Sequence, residues 1–180
     1  MQLTGETPMS RTRTISWHDP ADAARQAQGL TGLETLHRIG NGLLPPPPVA
    51  DLVGFHPIFV TPGFVVFAYA PREEHYNTLG GVHGGIVTTV LDTVMGCAIH
   101  STLDAGIAPV TIELKTSFVR PVTLSSGRLR AEGNVVHGGS RIATAEAKLL
   151  DEGGMLFAHA SSTWLIHDAA HKQTKEPLAA

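Results

Sequence analysis

Apolar positions are densest between residues 86 and 98. Ile86, Val87, Val90, Leu91, Val94, Met95 and Ala98 fall there at the i, i+1, i+4, i+5 spacing of one wide stripe at 3.6 residues per turn. The stripe predicts a buried helix that begins near Gly85 and runs toward His100. Ahead of it, Phe55 to Val60 and Phe64 to Ala70 are rich in β-branched and aromatic residues on either side of Thr61-Pro62-Gly63, which reads as a hairpin. Behind it come four more segments of strand character: Pro109 to Val119, Gly127 to Val136, Arg141 to Leu150 and Met155 to Ile166. Ser125-Ser126-Gly127, Gly138-Gly139-Ser140 and Asp151-Glu152-Gly153-Gly154 separate them, short glycine-bearing connections of the kind that join antiparallel strands. In the first segment Val110, Ile112, Leu114 and Phe118 alternate with Thr111, Glu113, Lys115 and Ser117, the period of a half-buried strand. Ala143, Ala145, Ala147 and Leu149 form a small-residue face on which a helix can lie close. Two strands, one long helix and four strands predict an α+β layer arrangement.

The ends read differently. Residues up to Asp19 are polar without a period and predict a loose tail. From Pro20 to Ile39 the pattern is helical, with Thr31 and Glu34 at capping-box spacing and an apolar edge of Leu33, Leu36, Ile39 and Leu43. Gly40, Asn41, Gly42 and the prolines 45 to 48 stop these helices. The expected organisation is a tail and helical extension over residues 1–49, a main domain over 50–166 and a flexible polar tail over 167–180.

Composition narrows the function classes. With 42% hydrophobic and 16% charged residues the 180-residue chain suits one globular domain. A formal net charge of −3 argues against nucleic acid as the main partner. Neither a secretory h-region near the first residue nor a membrane-length apolar run is present in the sequence, so a cytoplasmic location and no membrane partner are expected. Cys97 is the single cysteine; it lies in the apolar helix and reads as a packing residue.

The back of the predicted helix carries the chemistry. Asp92 projects opposite the apolar stripe, beside Gly85, Thr88, Thr89, Gly96 and Ile99, and is the sole formally charged residue between Glu74 and Asp104. A solvated helix face usually shows several charges, so this neutral face is expected to be covered, by a partner subunit packed close. A carboxylate in such a joint, with no Lys or Arg three or four residues away, is costly unless it is hydrogen-bonded, and its presence points to use. Just before the helix stand Asn77 and the run His83-Gly84-Gly85, where glycines permit sharp turns and close approach to main-chain N–H groups.

This order of elements, with Asn77, His83-Gly84-Gly85 six residues on and Asp92 nine residues after His83, resembles the PaaI-type acyl-coenzyme A thioesterases, a family of the hydroxybenzoyl-coenzyme A thioesterase superfamily. The likeness runs from about Ala50 to Ile166 and includes Thr111, Arg120-Pro121 and the glycine turn before Arg141. It implies a hotdog fold, an antiparallel sheet of about six strands wrapped on one long central helix. It also implies hydrolysis of an acyl-coenzyme A to free acid and coenzyme A without a cofactor. The resemblance gives Gly84 the role of backbone donor to the oxyanion. It sets Asn77 and Gly84 of one subunit opposite Asp92 and Thr111 of the other, in a homodimer that pairs into a tetramer.

The chemistry agrees with that assignment. Amides at Gly84 and Gly85 lack intrahelical acceptors and sit at the positive helix end, so they can donate to a developing oxyanion. Asp92 can activate water or attack the thioester itself. About 10 Å of helix axis separates the donors from Asp92, so one helix can hardly serve one carbonyl with both, whereas two antiparallel helices can. Asn77 can hold the thioester or water, His83 can order the turn or assist Asn77 in catalysis, and Thr111 can orient water. Arg120 and Arg141 are candidates for the coenzyme A phosphates, and Tyr76 and Met95 for the acyl pocket. His75, His83 and His100 lack metal-ligand spacing, so no metal is expected. Two other readings are a non-catalytic acyl-coenzyme A binder and a hotdog enoyl-coenzyme A hydratase; in the latter the motif His follows the Asp, the reverse of the order here.

Overall fold

The computed structural model describes residues 9–168. In chain order the elements are helices α1 (Pro20–Gln26), α2 (Gly32–Gly40) and α3 (Pro48–Val53), strands β1 (Phe55–Thr61) and β2 (Phe64–Tyr69), helix α4 (Gly84–His100), and strands β3 (Ile107–Phe118), β4 (Leu129–Gly138), β5 (Ile142–Asp151) and β6 (Leu156–Asp168). The strands form one antiparallel sheet in the order β1-β2-β4-β5-β6-β3, wrapped on α4. This is the expected hotdog arrangement.

The apolar stripe is what holds helix and sheet together. Val90, Leu91, Val94, Met95 and Ala98 are sealed from solvent in one core with Val65, Phe67, Ala131, Ala145, Leu149 and Ala160 of the strands. Each large aliphatic side chain buried this way contributes about 1.5–3 kcal/mol. The small-residue face of β5 is buried as expected, and β4 comes closer still. A Cβ on Gly133 would stand 2.5 Å from the carbonyl oxygen of Val94, so a side chain there would push the helix off the sheet.

Several expectations need correction. Ser125-Ser126-Gly127 does not join neighbouring strands: β3 pairs with β6 at the sheet edge, while β4 lies between β2 and β5. A glycine turn marks where the chain reverses and is silent on which strand lies alongside. The alternation along β3 also breaks. Its register against β6 shifts between Thr111 and Glu113, leaving Ile112 as an extra residue in a bulge. Side-chain parity therefore flips. Thr111 before the bulge and Leu114, Thr116 and Phe118 after it face α4, whereas Val110 and Ile112 stay 39% and 56% exposed.

The proline run ends in a helix where its stiffness predicts extended chain. Pro48 occupies the first turn of α3, where a missing N–H removes no bond, and Gly54 closes that helix with φ 82°. The predicted capping box of α2 is present, Thr31 and Glu34 each bonding the other's backbone. α2 docks on the main domain through Gly32 N–H to Leu103 O (3.1 Å) and His37 Nε2 to Val60 O (3.1 Å). The segment before α1, expected to be loose, is tied down by ion pairs of Arg11 with Glu73 and Arg13 with Glu74. Arg13 also donates to the carbonyls of Asp51 and Leu52. β6 extends to Asp168, past the expected boundary at 166. Residues 1–8, part of the predicted N-terminal tail, and 169–180, most of the predicted C-terminal one, lie outside the described residues.

Candidate active site

At the start of α4, His83 is the capping residue. Its Nδ1 accepts the N–H of Gly85 at 2.9 Å, its own N–H donates to His75 O (2.8 Å) and its carbonyl receives Ile86 N–H (2.9 Å). The Gly85 amide, one of the two expected oxyanion donors, is thereby engaged. The Gly84 N–H has no acceptor among the described residues and points out of the positive end of a 17-residue helix. Asn77 is pinned by its acceptor end: Oδ1 takes the N–H of Leu79 at 2.8 Å and, at a long 3.5 Å, that of Gly81. Its Nδ2 is left as a donor.

Asn77 and Gly84 line one cavity of about 650 Å³, with Val87, Phe118, Arg120 and Phe157. Phe118 and Phe157 are aromatic walls that sequence reasoning missed. Phe118 was placed by alternation alone, and the bulge that turns it toward the helix has no signature in residue type. A Cβ on Gly84 would meet the Phe118 ring at 3.0 Å, so the glycine keeps amide and ring side by side. Arg120 is anchored by Nη1 to Leu156 O (2.6 Å).

Asp92 stands two turns further, about 12 Å along the axis from Gly84. Thr111 Oγ1 donates to its Oδ1 at 3.1 Å, so the carboxylate and the hydroxyl predicted beside it are in contact. Burial pushes the Asp92 carboxyl above its ordinary pKa, and the Thr111 hydrogen bond acts in the opposite direction. Neither residue lines the cavity that holds Asn77 and Gly84. Arg141 precedes β5, whose Ile142 sits beside Leu165 and so across β6 from Val110; this is the Thr111 end of the sheet, not the Arg120 end. On one chain, then, Asn77, Gly84 and Arg120 share a cavity, and Asp92 with Thr111 lies outside it.

Tyr76 accepts Leu124 N–H at 2.7 Å and steadies the turn after β3; it does not line the cavity. Met95 is sealed in the core, where its sulfur receives the Ser162 hydroxyl. Burial, with the charge of Asp92 adding, pushes the Cys97 thiol up to about 12, which leaves it protonated and unreactive at neutral pH. Among the described residues no three His, Cys, Asp or Glu side chains gather as a metal site, and no helix is long and apolar enough to cross a membrane.

The sequence model of the thioesterase superfamily matches residues 79–158. A Saccharolobus solfataricus protein that bears an esterase name is 36% identical over 97 residues, which cover 53% of this chain and 67% of that one. Human acyl-coenzyme A thioesterase 13 is 28% identical over 67 residues, 37% of this chain and 47% of the human protein. The crystal structure of a phenylacetic acid degradation-related protein from Ralstonia eutropha superposes with a TM-score of 0.66 at 28% identity, covering 72% of this chain and 98% of that one. That likeness is in line with the PaaI-type resemblance. The matched span opens two residues after Asn77 and takes in His83, Gly84, Asp92, Thr111, Arg120 and Arg141, so it coincides with the part of the fold just described. On these matches the chain belongs to the thioesterase superfamily, as a hydrolase acting on thioesters.

Proposed function

We propose that the chain hydrolyses acyl-coenzyme A thioesters in a site completed by a second copy of itself. The observation that carries this is the split on one chain between donors at Asn77 and Gly84 and the carboxylate at Asp92, about two helical turns away. A two-fold axis that sets two α4 helices antiparallel brings the first group of one copy against the second group of the other. β3 supplies the joint: it is an unpaired sheet edge with Val110 and Ile112 exposed, and pairing with its own copy covers both.

In that site the carbonyl oxygen accepts from Gly84 N–H and Asn77 Nδ2, which stabilise the charge that develops as the carbonyl becomes tetrahedral. Asp92 of the facing copy acts in one of two ways. As general base it takes a proton from a water held by Thr111, and that water attacks the carbonyl carbon. As nucleophile it attacks the carbon itself, expels the thiolate and leaves a mixed anhydride that water then opens. Either route consumes one water and yields a carboxylic acid and coenzyme A thiol. Human acyl-coenzyme A thioesterase 13 supports coenzyme A as the carrier. Arg120, at the cavity with Gly84, and Arg141, arriving with Asp92, suit its phosphates.

The test is thiol release from aromatic, short, medium and long acyl-coenzyme A esters; none from any of them overturns the activity. The shared site has its own test. Asp92→Asn and Asn77→Ala are each expected to be inactive, and mixing them should restore activity, because one site of a mixed dimer inherits both lesions and the other neither. Subunit exchange seen by mass spectrometry without recovered turnover overturns the sharing.

A further inference from the structure

A second cavity, of about 390 Å³, opens between α3 and strands β1 and β2, away from the Gly84 cavity. Its volume lies within the ~300–1,000 Å³ of small-molecule sites. Phe55, Pro57 and Ala50 give it an apolar wall, and Arg72 and Arg128 give it cationic groups against the single carboxylate of Asp51. Asp51 is paired with neither arginine.

Arg72 is seated with care. Its guanidinium lies on Gly54, the left-handed residue that closes α3, where a Cβ would fall 2.4 Å from Nη2. Yet its Nη1, shut from solvent, finds no acceptor among the described residues, and the same holds for Nε2 of His75 on the same turn. His75 Nδ1 faces Arg72 N–H at 3.2 Å and Tyr69 OH at 3.0 Å. An amide N–H can only donate, so Nδ1 is the acceptor and the proton of the neutral ring sits on Nε2. Both orphans are therefore donors, and a buried charged donor is costly without an acceptor.

We propose that this cavity binds a small organic carboxylate, its charge held by the guanidiniums of Arg72 and Arg128 that line it and its apolar body against Phe55 and Pro57. The planar guanidinium matches a carboxylate edge to edge, and the apolar wall selects an anion with a hydrocarbon body over a bare oxyanion. Nothing in the site depends on the proposed reaction, although the acid released from a thioester belongs to the same chemical class.

Calorimetric titration of the full chain with benzoate, octanoate and inorganic phosphate tests it. Saturable binding of at least one carboxylate is expected, with phosphate weaker. Arg72→Gln should weaken it about tenfold or more, as loss of a charged hydrogen-bond partner does. Arg128→Gln, at an exposed position where folding is not at stake, should weaken it in the same direction. Asn77→Ala, in the other cavity, should leave it unchanged. No saturable binding of either carboxylate overturns the proposal. So does binding that survives both arginine variants but is lost in Asn77→Ala, which puts the acid in the Gly84 cavity. Phosphate bound as tightly as benzoate overturns the ligand class.

Discussion

Replacing Gly84 by proline removes one N–H from the start of α4 and leaves the path of the chain intact. Gly84 is the first helical residue, where proline deletes no intrahelical bond and its φ near −65° is already suited. His83 before it has φ −59° and ψ 133°, the extended conformation that a following proline requires. Gly84 itself is outside the left-handed region. Reduced freedom of the unfolded chain should add about 0.4–1 kcal/mol of stability where no strain enters. The one crowded neighbour is the Phe118 ring, 3.0 Å from the new Cβ, and at 56% exposure it has room to turn aside. Gly84→Ala brings the same Cβ and keeps the N–H, so it measures the displacement of the ring alone. Turnover of the proline variant relative to the alanine variant then isolates the amide. Loss of one oxyanion donor corresponds to a drop of about 100- to 1,000-fold, or ~2.7–4 kcal/mol. The assay is thiol release on the best substrate of the acyl-coenzyme A panel, with circular dichroism and melting to confirm the fold. A folded Gly84→Pro enzyme within about threefold of Gly84→Ala would remove the Gly84 amide from the mechanism.

Four further outcomes are expected. Asp92 must be ionised in either role and burial raises its pKa, so kcat/KM should fall with decreasing pH at a value above the ordinary carboxylate range; a limb at the ordinary value contradicts this. The same burial disfavours the folded state while Asp92 is charged, so Asp92→Asn should raise Tm at neutral pH, and the gain should vanish as pH falls through the raised pKa to below the ordinary one. Thr111→Val deletes the hydroxyl that favours the ionised carboxylate and should move the acid limb to higher pH; an unmoved limb means that the hydrogen bond has no such effect. Ile112→Glu puts a charge on the exposed edge of β3 and should abolish assembly and turnover together, and light scattering that finds an active monomer refutes the shared site.

The central helix was legible because its stripe is long and regular, and the strands because glycine turns bracket them. Sheet order was not, since β3 and β6 meet through pairing across the fold that no local residue announces. The bulge at Ile112 was hidden for a related reason. A regular and a bulged β3 differ in which residues face α4, and that choice brings Thr111 to Asp92 and Thr116 to Thr88, contacts that exist only in three dimensions. At the helix start the family resemblance picked out Asn77, His83 and Gly84 together. It could not tell that the His83 ring would take the Gly85 amide, because that depends on one side-chain rotamer. α3 was lost to the proline run, although Pro48 and Gly54 are well placed to open and close a helix.

The strand order also sets a timetable. A chain that emerges from its N-terminus can close the β1–β2 hairpin at once, but β3 has no strand to lie against until β6 has been made, since Thr111 sits opposite Trp164 and Phe118 opposite Ala158. The Asp92–Thr111 contact and the Phe118 wall of the Gly84 cavity are thus among the last features to assemble, however early their residues appear. Until then β3 is a strand with two open edges, carrying Val110, Ile112 and Leu114, and it is the segment most exposed to wrong partners. A nascent chain cut short before Leu156 would hold α4 on β1, β2, β4 and β5 and still lack the strand on which β3 docks.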